Sequence, residues 1–92
     1  MRYRQLEYYL LKDHKIIYIT FWFLDNSFGL VLEGDGWEIN YRNNRETEKI
    51  SLFIGGAFPF TTTDPKAIDL FFDQLEFCFM TYPVVYYEKR GW

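Results

Sequence analysis

The nine-residue segment from Ile16 to Leu24 (IIYITFWFL) constrains the fold more than any other part of the chain. β-Branched and aromatic residues fill it, and these pack well on a pleated surface. Successive side chains of a strand point to opposite faces. One face therefore carries Ile17, Ile19, Phe21 and Phe23; the other carries Ile16, Tyr18, Trp22 and Leu24, interrupted only by Thr20. A strand that is apolar on both faces is either covered on both sides or has one face in an interface. The run is far short of the ~20 residues that span a bilayer.

The segments around it follow from their punctuation. Residues 2–11 fit two periods: Tyr3, Leu6 and Leu10 share a helical face, whereas Arg4, Leu6, Tyr8 and Leu10 alternate as in a strand. We favour the strand, turning at Lys12-Asp13-His14-Lys15 into the central run. Asp25-Asn26-Ser27 is a turn, Phe28–Glu33 a strand, and Gly34-Asp35-Gly36 a tight hairpin turn. Trp37–Arg42 alternates cleanly and predicts a half-exposed strand. After the polar loop 43–49 comes a strand at Ile50–Ile54, and Gly55-Gly56 marks a bulge or bend. Phe58-Pro59-Phe60 reads as an edge or extended segment, because Pro59 has no N–H for a ladder.

Asp64 followed by Pro65 is a helix start, with Asp64 as N-cap. The spacing of Ile68, Phe71, Phe72, Leu75 and Phe79 predicts a buried stripe on a helix running to about Met80. Thr81-Tyr82-Pro83 ends it, and Val84–Glu88 can add a last strand. The expected architecture is one α+β domain over residues 1–92. It has a meander-like antiparallel sheet of five to six strands, with one C-terminal helix packed on one face.

Composition supports a packed core. Of 92 residues, ten are Phe, eight Tyr and three Trp, and large rings supply much buried area in a small domain. The single cysteine, Cys78, rules out an intrachain disulfide framework and fits a reducing compartment. With no signal-peptide pattern at Met1–Gln5, a cytoplasmic location is expected. The formal net charge of −3 argues against a broad basic footprint for nucleic acid.

Little in the chain carries catalytic chemistry. His14, the only histidine, lies in a turn beside Asp13, with no nucleophile motif to serve. Cys78 sits among Leu75, Phe77 and Phe79 and reads as a core or boundary residue. One Cys and one His cannot build the usual tetrahedral zinc site. Neither Asp25-Asn26-Ser27 nor Asp35 matches a calcium-loop spacing. Gly55-Gly56 is followed by no helix that could offer its N-terminus to a phosphate. No cofactor is expected, although carboxylate-pair chemistry leaves no local signature to read.

Three features suggest contact instead. Asp69, Asp73 and Glu76 fall at i, i+4 and i+7 on one helix face, which reads as an ordinary solvated face or an acidic dock for a basic partner. Tyr82, Tyr86, Tyr87 and Trp92 crowd the C-terminus; such residues either complete a core or anchor interfaces. Arg42, Arg45 and Lys49 lie near Trp37 and Tyr41, the side-chain types of a single-strand nucleic-acid surface, but Glu38, Glu46 and Glu48 interleave with them. The leading expectation is a non-enzymatic protein-binding domain, a small inhibitor acting by occlusion in the manner of an immunity or phage anti-defence protein. Its partner-binding residues are Asp69, Asp73, Glu76, Tyr86, Tyr87 and Trp92. The alternative is a nucleic-acid-binding sheet using Arg42, Arg45 and Lys49. The doubly apolar central strand further predicts a homodimer.

Overall fold

The computed structural model describes residues 2–92 as one antiparallel sheet and one helix. Its strands are β1 (Arg4–Lys12), β2 (Lys15–Phe23), β3 (Ser27–Gly34), β4 (Trp37–Asn44), β5 (Lys49–Gly55), β6 (Phe60–Thr62) and β7 (Val84–Arg90), with α1 (Pro65–Thr81) between the last two. The spatial order is β6-β5-β4-β3-β2-β1-β7. Six strands form a plain meander; α1 then carries the chain across the sheet, and β7 pairs antiparallel with β1.

The sheet thus has seven strands, not five to six. Two segments account for the difference. Residues 4–12 form a full strand paired on both sides, Tyr8 standing opposite Ile19 of β2 and Tyr87 of β7. Phe60 rejoins the ladder opposite Ile54, so Pro59 lies just outside it and β6 needs only three residues. The expected antiparallel meander with a C-terminal helix on one face is otherwise what the chain adopts.

Local chemistry sets the register. Asp13 and His14 are the two central residues of the β1–β2 hairpin, both at positive φ (50° and 65°), a region in which Asp and His are tolerated better than most residues. The β4–β5 turn closes on Asn44, whose Oδ1 accepts from the amides of Glu46 (3.0 Å) and Thr47 (3.2 Å). Gly29 is required for a different reason. A Cβ there would run into the Trp22 ring and the Tyr41 carbonyl, so the indole lies flat across β3 only because residue 29 has no side chain.

The core is a single layer between the sheet and α1. Leu10, Ile17, Ile19, Leu30, Leu32, Tyr41 and Leu52 point up from the sheet, and Ile68 and Leu75 point down from the helix. Phe72 meets Tyr41 edge-on at 4.8 Å, and Phe79 meets Tyr8 edge-on at 5.1 Å, so α1 crosses from β4 towards β1. Asp64 caps it by accepting from the Lys66 amide at 3.1 Å, which satisfies one of the free N–H groups of the first turn.

Candidate functional site

With α1 pressed down by Ile68, Phe71, Phe72, Leu75 and Phe79, its opposite side is fixed by the 100° rotation per residue. Asp69, Asp73 and Glu76 fall there and are all exposed. So do three large apolar residues: Leu70, Phe77 and Met80 are 66%, 56% and 79% exposed. Positions 70, 73, 77 and 80 follow the i, i+3, i+7, i+10 row, so the apolar groups form a ridge with Asp73 set into it and Asp69 and Glu76 along one flank. Lys66 is the helix's one cation, against these three carboxylates. Scattered exposed apolar residues need no explanation. A ridge of three on the outward face of a helix that already buries a full stripe leaves much of its apolar surface in water.

The aromatic residues expected to join this face do not lie together. Tyr87 stands on the helix side of the sheet against Tyr8, centroids 4.9 Å apart. Tyr86 stands on the other side, in a row with Tyr9 (4.6 Å) and Tyr18, itself 4.8 Å from Tyr9. Tyr82 packs at the C-cap of α1. Trp92 lies beyond the end of β7, edge-on to Phe23 at 5.6 Å. The basic trio is likewise spread out. Arg42 pairs with Gly29 and so shares the uncovered sheet face with Trp22; Arg45 leans over the Phe28 ring at 5.0 Å; Lys49 opens β5. Tyr41 is buried under the helix and offers no stacking surface.

The sheet face away from α1 also carries a polar chain on β1 and β7. Arg90 grips Glu88 through two bonds of 2.9 Å and reaches Glu7 at 3.8 Å; Gln5 donates to Glu7 at 2.7 Å, and the Tyr86 hydroxyl donates to Glu88. The Arg90 guanidinium, then the Tyr86 hydroxyl, hold the Glu88 carboxyl down at about 2. These partners tie two strands together. His14 is exposed in its turn and Cys78 is a half-buried free thiol. Among the described residues, no group of three His, Cys, Asp or Glu side chains is placed to hold a metal, and no helix is long and apolar enough to cross a membrane. Compared with known proteins, the chain matches no family model, no curated sequence and no solved structure.

Proposed function

We propose that this chain is a non-enzymatic protein-binding domain that inhibits by occlusion, docking the outer face of α1 onto a basic partner. The observation that carries this reading is the exposed ridge of Leu70, Phe77 and Met80 bordered by Asp69, Asp73 and Glu76. An amphipathic helix of this kind lays an apolar row into a groove while its carboxylates meet cations at the rim. The apolar anchors supply affinity, and the acidic border supplies steering and choice of partner. The helix is anchored on the sheet by Ile68 and Leu75, so its outer face is formed before a partner arrives. The single, unpaired Cys78 fits a reducing compartment, and the partner is taken to be cytoplasmic.

The test is site-specific photo-crosslinking in the native host. A crosslinker in place of Phe77 should trap one basic protein, and the same group in place of Lys49, at the far end of β5, should not. Replacing Asp69, Asp73 and Glu76 together by Asn, Asn and Gln should weaken the purified pair at least tenfold, about 1.4 kcal/mol. Crosslinks from position 77 to no other protein, or an affinity unchanged by the triple replacement, would reject the reading.

A further inference from the structure

The return of β7 to β1 brings together four cations that are far apart in sequence. Arg2 and Arg4 precede or open β1, Lys89 is near the end of β7, and Arg45 projects from the β4–β5 turn. They gather around Trp92, Phe23 and Leu24 at one end of the sheet. Arg2, Arg4 and Arg45 line a pocket of about 390 Å³ there, with Asp25 as its one side-chain carboxylate. In a chain of net charge −3, three guanidinium groups against one carboxylate side chain is a local reversal of the background. Among the described residues, none of Arg2, Arg4, Arg45 and Lys89 forms an ion pair; the pairs present join Lys15 to Asp35 and Arg90 to Glu7 and Glu88.

Aromatic rings lie against three of these cations instead. The Arg4 guanidinium lies 4.9 Å and the Lys89 ammonium 5.2 Å from the Trp92 ring centroid, and the Arg45 guanidinium 5.0 Å from that of Phe28. Trp92 is fixed in turn by its edge-on contact with Phe23 at 5.6 Å and by donating its indole N–H to the Gln5 carbonyl at 3.4 Å. A guanidinium that lies beside a ring and not beside a carboxylate keeps its N–H groups free of an ion pair and available to an anion. Such arginines around an apolar wall are therefore poised for a ligand with an anionic head and a flat apolar body. The volume is of the order of small-molecule sites, about 300–1,000 Å³.

We infer that this end of the sheet is a binding site for a mononucleotide, its phosphate held by Arg2, Arg4 and Arg45 and its base set against Phe23, Leu24 and Trp92. The site is separate from the outer face of α1 and stands without the docking role proposed for that helix. It also differs from a nucleic-acid surface, since Arg42 and Lys49 are not among its lining residues.

The experiment is a titration of the full chain with a nucleoside monophosphate, followed by the Trp92 indole N–H and the arginine side-chain resonances in NMR spectra. The expected result is saturable, salt-weakened binding that shifts the Trp92 signal. Inorganic phosphate should bind at least tenfold more weakly, and the uncharged nucleoside should give no saturable shift. Arg45→Glu, in an exposed turn, and Arg4→Gln should each lower affinity at least tenfold, with circular dichroism and melting temperature unchanged. Absence of saturable binding at millimolar nucleotide, or affinity unchanged in both variants, would overturn the inference. So would equal affinity for inorganic phosphate, which would leave the aromatic wall without a role. Tighter binding of a 5′-phosphorylated oligonucleotide than of the mononucleotide would overturn it in favour of a nucleic-acid end.

Discussion

Leu30 and Leu70 set the same side chain in opposite environments. Leu30 is 1% exposed in the centre of β3, under α1, whereas Leu70 is 66% exposed on the outer face of α1. Truncating a buried leucine removes its transfer free energy and leaves a cavity, so Leu30→Ala should cost about 2–5 kcal/mol. Leu70→Ala removes no core contact and should stay within about 0.5 kcal/mol of the parent protein. Urea unfolding of the two variants checks both values. A loss above about 1 kcal/mol for Leu70→Ala would mean that the residue supports the fold, and the case for it as a docking anchor would fall. Phe21 and Phe71, which the periodicity also places on the core stripes, are only half-buried. Their truncation should cost less than the full value for a buried ring, about 3–5 kcal/mol.

Between elements, the β1–β7 pairing is the connection that decides most. On its outer side Glu88 is clasped by Arg90 and Tyr86, and its carboxyl is lowered from 4.5 to about 2. A lowered carboxyl stabilises the folded form wherever the unfolded chain would hold the group ionised. That contribution is complete above about pH 4.5 and is lost as pH falls towards about 2. Glu88→Gln should therefore be less stable than the parent at neutral pH, with the gap closing across that window. Added salt should narrow it, because the group is in contact with solvent. Urea midpoints measured against pH give the answer; a gap that stays constant from about pH 6 to about pH 2 would show that the clasp does not contribute. The same pairing explains which parts were legible in the sequence. Each hairpin of the meander is a local event written in a few residues, such as Asp13-His14 or Asp35-Gly36, and α1 announced itself by Asp64-Pro65 and its apolar spacing. Residues 4–12 satisfied two periods at once, and only contact with β2 on one side and β7 on the other makes them a strand. The acidic residues of α1 could be assigned to one face because helical rotation is a local rule. Leu70, Phe77 and Met80 were legible by the same rule, at the angle opposite the buried stripe. Arg2, Arg4, Arg45 and Trp92 carried no such signal, since their meeting depends on a long-range strand return that leaves no mark in local spacing.

The molecule is two layers, with extents of 40 × 34 × 21 Å, and among the described residues α1 is the only element that covers a sheet face. The second apolar face of β2 is therefore left open. Tyr18 and Trp22 stand there with Tyr9, Tyr86 and Val31, bordered by Glu7, Glu33 and Arg42, and Asn40 separates them from Phe53 of β5. The segment 2–11, which as a helix would have capped this face, instead supplies most of strand β1 (Arg4–Lys12). An exposed cluster of aromatic residues is a place where monomers associate. The strand edges are poorer candidates: β6 has three residues, and β7 ends in Glu88, Lys89 and Arg90, charges that discourage edge pairing. The expected assembly is a twofold dimer with the two open faces stacked about 10 Å apart, as in a sandwich of sheets. Light scattering during gel filtration at micromolar concentration should then give about twice the 11.2 kDa of one chain. Tyr18→Lys, at an exposed position of the patch, should return the species to one chain without changing the circular dichroism spectrum. A parent protein that runs as a single chain would reject the dimer. In such a dimer the two α1 ridges would point outward on opposite sides, so one assembly would present the proposed docking face twice. Titration against the partner should then saturate at one partner per chain, and the Tyr18→Lys monomer should bind with unchanged affinity at each site, because its α1 face is the same.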